Sequence, residues 1–496
     1  MSAADLVDVV VLVAGLVAGG LAGVRWLRVA QREHYLPGAV SRFAGRWWGA
    51  MAPNQIVALA ALVALVLAVV GATIVGLVSA TAVAVGPFGL GLRGRTSKLA
   101  WTRRLRTVAG VWALASVLPV VAVTVAGLRP AAVTAVLVAV LAPALVDLAL
   151  VVTAPVERQL ASKFVDQAAA RLRSVHPTVV AVTGSYGKTG TKGYIAHLVG
   201  ATHTVVATPA SFNNTAGLSR SVNEHLAPGT QVFVAEMGTY GPGEIAEMCD
   251  WVRPSIAVIT AIGPVHLERF KSEDRIVEAK AEILRTAEVA ILNTDDPRLA
   301  ALADRVEAAG ALRVVRVAAA DLVALDLPPG AQPTNVACAV AVARHLGVSD
   351  EIIAARVPTL PTPPNRLTIS TGSSGCTIVD DTYNSNPAGV RAALAALARV
   401  GTPDGRRVVV TPGMVELGPR QAEENARFAE AVAAGGGTDL VVVGHTNRRA
   451  LTEGAGRGRV RVVLVDTREQ AVAWVQGHCG PPDAVLYEND LPDHFA

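Results

Sequence analysis

The chain has 496 residues, of which 52% are hydrophobic and 17% charged. A soluble globular chain carries about 25% charged residues, so these numbers predict a membrane-embedded part and exclude a disordered chain, which would be poor in apolar residues. Basic residues outnumber acidic ones 12 to 4 in residues 1–156 and fall behind, 32 to 36, in the rest, so the net charge of +4 is no sign of a nucleic-acid ligand. The four cysteines, Cys249, Cys338, Cys376 and Cys479, show no C-x-x-C spacing. A disulfide scaffold and a cysteine-rich zinc site are thereby excluded, and a reducing compartment fits.

Residues 6–24 are apolar apart from Asp8, residues 56–86 form an uncharged, mostly apolar run of 31, and residues 107–128 and 131–153 are two further apolar stretches. About 20 apolar residues cross a bilayer, so the run at 56–86 is too long for one straight helix and short for two. Charge decides between them. Arg25, Arg28, Arg32, Arg42 and Arg46 precede this run, and Arg93, Arg95, Lys98, Arg103, Arg104 and Arg106 follow it. Positive loops stay cytoplasmic, and a hairpin turning near Gly71 keeps both clusters on one side. The expectation is a multi-pass protein of the cytoplasmic membrane with five spans, its N-terminus outside and its later domains in the cytoplasm. Asp5 and Asp8 replace the positive start of a signal peptide, which favours a retained anchor. Asp147 sits within the last apolar stretch. An intramembrane carboxylate is a functional suspect by default, and the plainer reading places it near a span end or facing another helix.

From about residue 157 the pattern changes. Residues 157–173 read as an amphipathic linking helix. A β-branched run, Thr178–Thr183, then leads into Gly184-Ser185-Tyr186-Gly187-Lys188-Thr189-Gly190 and a helical stretch. Strand, glycine loop and helix are the context of a phosphate-binding loop. Backbone N–H groups and the helix N-terminus favour phosphate oxygens. Lys188 suits the β and γ phosphates of ATP, and the Thr189 hydroxyl suits Mg²⁺. The G-x-x-G-K-T spacing is shorter than the common G-x-x-x-x-G-K-[ST]. Three further runs end in polar residues: Val232–Glu236, residues 256–260 leading to His266, and Val289–Asn293 followed by Asp295 and Asp296. Strand C-terminal ends converge on the ligand crevice of a parallel sheet, and a carboxylate there suits Mg²⁺.

Eight blocks in order then resemble the Mur ligases, which make amide bonds with ATP, and in particular the branch that adds D-alanyl-D-alanine to a muramoyl peptide. They are Thr183-Gly-Ser-Tyr-Gly-Lys-Thr189, Phe212-Asn-Asn-Thr-Ala-Gly217, Ala235-Glu-Met-Gly238 with Gly241-Pro-Gly-Glu-Ile245, His266-Leu-Glu-Arg-Phe270, Glu278-Ala-Lys-Ala-Glu-Ile283, Leu292-Asn-Thr-Asp-Asp296, Asp380-Asp-Thr-Tyr-Asn-Ser-Asn-Pro387 and Gly413-Met-Val-Glu-Leu-Gly418. The resemblance covers about residues 175–490. With the apolar stretches it gives three regions: a helical transmembrane bundle at 1–156, read from hydropathy and charge, and, as the resemblance implies, a central P-loop ATP-binding α/β domain at 157–350 and a Rossmann-like C-terminal α/β domain at 351–496. The proline-rich 357–364 stretch reads as a hinge or linker between the last two.

The resemblance also implies roles. Residues 184–190 would hold ATP, with Lys188 catalytic. Thr189 and Glu236 would hold one Mg²⁺ and His266 a second. Lys280 would be the lysine that this family carbamylates, turning a cation into an anion that approaches metal and phosphate. Asn293 and Asp296 would contact adenine and ribose. Arg366 and Asp381 would reach the nucleotide or its phosphates when the domains close. Asn213, Asn214 and Thr215, with Tyr383, Asn384 and Asn386, would meet the substrates.

Several blocks depart from the family. Apolar segments stand where its UDP-binding domain would be. Thr334-Asn335 replaces a His-Asn pair, Pro412-Gly-Met-Val-Glu replaces Gly-Asp-Met-x-Glu, and Tyr487-Glu-Asn-Asp-Leu-Pro-Asp493 stands near a Lys-Gly-Ser-Arg-type loop. That acidic stretch either sits beside a cationic or amino substrate or is merely solvated. The leading expectation is a membrane-embedded ATP-dependent ligase joining a carboxylate to an amine, one of them lipid-linked or arriving at the membrane surface. A second keeps the ordinary UDP-muramoyl-tripeptide activity, with the spans as an anchor. An export ATPase, from another class, lacks a transport signature.

Overall fold

The computed structural model describes residues 2–92, 99–209, 212–265, 267–322, 324–328, 330–361, 367–382 and 385–491. The chain divides into two compact units, one built on the residues up to Leu160 and one running from Ala161 to Asp490.

The first unit is helical: α1 (Ala3–Arg32), α2 (Ala39–Ala50), α3 (Ala52–Val70), α4 (Gly76–Val85), α5 (Arg103–Val123), α6 (Leu128–Val140) and α7 (Ala142–Val175), the last continuing past the unit's end. Asp5 belongs to a capping box: its backbone N–H donates to Ser2 Oγ at 3.1 Å while its carboxylate accepts from Ser2 N at 2.7 Å. Small residues let α1 and α6 approach closely. A Cβ on Gly15 would lie 2.9 Å from the Ala135 carbonyl carbon, and one on Gly19 would lie 3.8 Å from Ala139. Close approach at small residues is how helices associate where lipid removes the hydrophobic incentive.

Three helices, Ala3–Arg32, Ala52–Val70 and Arg103–Ala126, are long and apolar enough to cross a membrane, and Leu128–Val140 with Ala142–Val175 makes a fourth if this pair, bent by 74°, is one span. The expected five are thus three or four among the described residues. The 56–86 run does break at Gly71, which caps α3 at φ +139°. Its second arm falls short, because the 10 residues of α4 rise only about 15 Å against a hydrocarbon core of about 30 Å. Residues 157–173 form no separate helix, since α7 runs unbroken through Pro155.

Two polar residues explain this packing. Arg25 is buried, and its guanidinium donates to the carbonyls of Val83 (3.1 Å), Ala84 (2.9 Å), Gly86 and Leu90 (3.1 Å). It thereby serves the orphan carbonyls where α4 ends. The α2 N-terminus begins at Gly38, which has no side chain to cap it. Asp147 of α7 supplies the cap, accepting from Gly38 N (2.8 Å), Val40 N (3.3 Å) and Ser41 N (2.8 Å). The plainer of the two readings of this carboxylate therefore holds.

The second unit contains two six-stranded sheets, β2-β3-β1-β4-β5-β6 and β11-β10-β9-β12-β8-β7. The strands are β1 (Thr178–Thr183), β2 (Val205–Ala207), β3 (Val232–Glu236), β4 (Ile256–Ile259), β5 (Val289–Asn293), β6 (Arg313–Val317), β7 (Thr368–Thr371), β8 (Thr377–Asp381), β9 (Arg407–Thr411), β10 (Asp439–Val443), β11 (Arg461–Val465) and β12 (Ala484–Glu488). All pairings are parallel except β7 with β8. Parallel strands are covered on both faces and read as continuous apolar runs. Ala181, Phe233 and Ala257 accordingly pack into one core layer, and Val180, Val182, Val234 and Val258 into the other. Strand β1 lies between β3 and β4, so its C-terminal end opens at a switch in strand order, the usual ligand crevice of such sheets.

Candidate active site

The loop after β1 is shaped by two glycines. Gly184 has φ +154°, and a Cβ there would lie 2.0 Å from Thr260 Oγ1. Gly187 has φ +82°, caps the helix Lys188–Val199, and faces Asn335, whose Oδ1 would be 2.2 Å from an added Cβ. The loop is pinned from β4: Ser185 N donates to Ala261 O at 2.7 Å, Ser185 Oγ to Gly263 O at 3.1 Å, and Thr260 Oγ1 to Tyr186 O. The Tyr186 ring lies over Gly263, where a Cβ would clash, and burial pushes its phenol up. Lys188 Nζ turns back to Gly184 O at 2.8 Å, spanning the concavity that the loop encloses. Gly190 is buried in the first turn of the helix.

Glu236, at the end of β3 and 1% exposed, stands next to this helix. Its Oε1 accepts from Thr189 Oγ1 at 3.3 Å and from Asn213 Nδ2 at 3.2 Å, and its Oε2 meets Lys192 Nζ at 2.9 Å. Sequence reasoning passed over Lys192. The available signal was its spacing, four residues after Lys188 and so on the same helix face. Among the described residues no group of three His, Cys, Asp or Glu could hold a metal. The oxygen pair of Thr189 and Glu236, beside the phosphate-type loop, nevertheless has the hard-donor chemistry that Mg²⁺ takes when phosphates supply its remaining ligands.

Lys280 lies in the last turn of the helix Glu273–Ala281 and is buried. Burial drives its ammonium well below the ordinary lysine range, and repulsion from Lys188 adds to the effect. Gly184, Ser185, Lys188, Asn213 and Lys280 line one pocket, together with Gly238, Thr239 and Tyr240. The fold thus gathers predicted residues from three separate sequence blocks.

Other predicted residues have their side chains engaged locally. Asn214 caps the helix Thr215–His225, in which Thr215 is the first residue, by accepting from Gly217 N at 2.9 Å. Asn293 donates to Thr260 O at 2.8 Å. Both Asp296 oxygens are occupied, Oδ1 by Arg298 Nε at 2.9 Å and Oδ2 by Ile262 N at 2.9 Å. Asp381 ends β8 of the second sheet, and Asn386 caps the helix Pro387–Val400. His266, Arg366, Tyr383 and Asn384 lie outside the described residues. The acidic stretch at 487–493 begins within β12, where Glu488 is fully buried and accepts from Ser385 Oγ at 2.6 Å, so this carboxylate is not solvated.

Residues 182–329 match the Mur ligase middle domain, and residues 365–487 match the Mur ligase, glutamate ligase domain. The UDP-N-acetylmuramoyl-tripeptide–D-alanyl-D-alanine ligase of Mycobacterium tuberculosis is 32% identical over 374 residues, covering 66% of this chain and 72% of that protein. The crystal structure of MurF from Acinetobacter baumannii aligns with a TM-score of 0.58 at 27% identity, covering 66% of this chain and 77% of that one. MurF ligase from Thermotoga maritima, solved in complex with ADP, aligns with a TM-score of 0.56 at 26% identity, covering 66% and 80%. A phosphate-type loop, a carboxylate at the neighbouring strand end and these matches over both sheets lead to one conclusion: the chain belongs to the Mur ligase family of ATP-dependent, ADP-forming ligases.

Proposed function

We propose that this protein is a membrane-embedded ligase that joins a carboxylate to an amine through an acyl phosphate, acting on a cell-envelope peptide precursor of which one component is lipid-linked. The observation that carries this reading is the pocket shared by Lys188, Asn213 and Lys280, in a chain whose first unit includes three helices of spanning length. In this reading residues 1–156 lie in the cytoplasmic membrane with the N-terminus outside, and the domains at 157–350 and 351–496 are cytoplasmic.

A carboxylate is a poor acyl donor because its leaving group would be oxide. Attack on the γ-phosphorus of ATP releases ADP and gives an acyl phosphate, from which the amine displaces phosphate. Residues 184–190 cradle the phosphates through their backbone N–H groups, and Lys188 neutralises charge gathering at the γ-phosphate. Thr189 and Glu236 would hold Mg²⁺, which would draw electron density from the phosphoryl oxygens, and His266 would hold a second ion. Lys280, whose ammonium form is disfavoured by burial and by Lys188, is the amine available for carbamylation. Asn293 and Asp296 are assigned to the nucleoside, Arg366 and Asp381 to the closed state, and Asn213, Asn214, Thr215, Tyr383, Asn384 and Asn386 to the substrates. Closure over the intermediate protects it from water.

A second reading keeps the activity named for the Mycobacterium tuberculosis relative, with the helices as an anchor only, and the 32% identity favours it. Phosphate release by the purified full chain in detergent with Mg-ATP separates the two. The lipid and aqueous fractions of the source cells are added separately, each with an amino-acid mixture. Stimulation by the lipid fraction supports the lipid-linked substrate, and stimulation by the aqueous fraction alone supports the anchor. A chain that binds ATP yet responds to neither overturns both.

A further inference from the structure

Glu488 and Asp381 end adjacent parallel strands and are register partners across the β12–β8 ladder. Glu488 is fully buried and Asp381 nearly so. Two carboxylates so placed cannot both be ionised without strong repulsion. Among the described residues no Lys, Arg or His forms an ion pair with Glu488. Its Oε1 accepts from Ser385 Oγ at 2.6 Å, and among the described residues no hydrogen-bond donor faces its buried Oε2. Ser385 belongs to the 380–387 loop, whose next residue, Asn386, caps the following helix through Ala388 N and Gly389 N. Immediately after Glu488, Asn489 turns into the left-handed region at φ +68° and donates its N–H to Asp381 O at 3.1 Å.

We propose that Glu488 is a positioning residue for the ligase reaction: its carboxyl group donates to Asp381 and accepts from Ser385, tying these two residues to the end of β12. This rests on the reading above, in which the 380–387 loop meets nucleotide and substrate. Glu488 touches neither and acts through Ser385 and Asp381. Burial and the adjacent Asp381 hold its carboxyl well above the usual carboxylate range. Asp381 of β8 is the charged group that acts on it, while Ser385 presents a hydroxyl and β9 sets the uncharged Val410 beside the preceding Tyr487. The pair then carries one negative charge rather than two, and Asp381 is the acceptor of the Glu488 proton.

The test uses the full chain in detergent with E488Q and E488A. A glutamine amide accepts from Ser385 and donates to Asp381, so E488Q keeps the wild-type KM for ATP at neutral pH. E488A leaves Ser385 and Asp381 without this tie and raises that KM roughly tenfold, the size of losing a buried hydrogen bond to a charged group. The wild-type KM rises on the alkaline side as the shared proton is lost, and E488Q has no such limb. Infrared difference spectra supply a readout independent of turnover: a protonated-carboxyl band present in the wild type at neutral pH and missing in E488Q. Equal impairment of E488Q and E488A, or absence of that band, overturns the proposal. If the wild type shows no ligase turnover, the functional reading fails while the band still decides the proton.

Discussion

Lys192 Nζ lies 2.9 Å from Glu236 Oε2, with the two side chains 7% and 1% exposed. The two lysines on one face of this helix therefore do different work: Lys188 spans the loop, and Lys192 holds the carboxylate behind it. Removing one partner of a buried pair strands a charge. Lys192→Met is expected to cost about 3–5 kcal/mol of stability, read from denaturant unfolding of the second unit. Lys192→Met combined with Glu236→Gln recovers most of that loss, because the stranded charge is gone. Wild-type stability in the single variant would refute the structural role of the pair.

Gly187→Ala meets two obstacles, a backbone at φ +82° and the Asn335 amide 2.2 Å from the new Cβ. The left-handed conformation alone costs about 1–2 kcal/mol in an L-residue. ATP affinity, measured by calorimetry, should fall at least tenfold. Adding Asn335→Ala removes the clash but not the backbone strain, so the double variant recovers only partly. Full recovery would mean that the backbone conformation is unimportant.

Lys280→Ala is expected to abolish coupled ATP turnover, and a short added carboxylate should restore part of it by replacing the carbamate. Unchanged turnover would sink the carbamate assignment. The same residue sets a pH trend. Its folded-state pKa lies well below the ordinary value of 10.5, so its contribution is fully present above that value and is lost as pH falls through the folded one. Between the two, wild-type unfolding free energy should rise with pH more steeply than that of Lys280→Met.

Asp147→Ala removes three backbone contacts from the start of α2. Loss of a helix cap costs about 1–2 kcal/mol, so the unfolding midpoint of the first unit in detergent should drop while ATP turnover per folded molecule stays at the wild-type level. Lost turnover with an unchanged midpoint would restore a functional role to this carboxylate.

The phosphate loop was legible because its chemistry is local. Gly184 through Thr189 must follow a strand and open a helix to do their work, and Thr178–Thr183 and Lys188–Val199 provide both. The strands ending at Glu236 and Asn293 were legible for the same reason: buried parallel strands read as short apolar runs. The break at Gly71 followed from charge on either side of an overlong apolar run. The short α4 did not, because its length depends on Arg25 reaching across to its last carbonyls from α1.

Lys192 with Glu236, Asn335 against Gly187, and Glu488 beside Asp381 were decided only in three dimensions. In each case the partners lie more than 40 residues apart in sequence. A side chain's charge and hydrogen-bonding capacity are properties of the sequence. Whether a carboxylate ends up facing an ammonium, a backbone N–H or another carboxylate depends on strand order and register, and the desolvation that makes the difference matter exists only once the chain has packed.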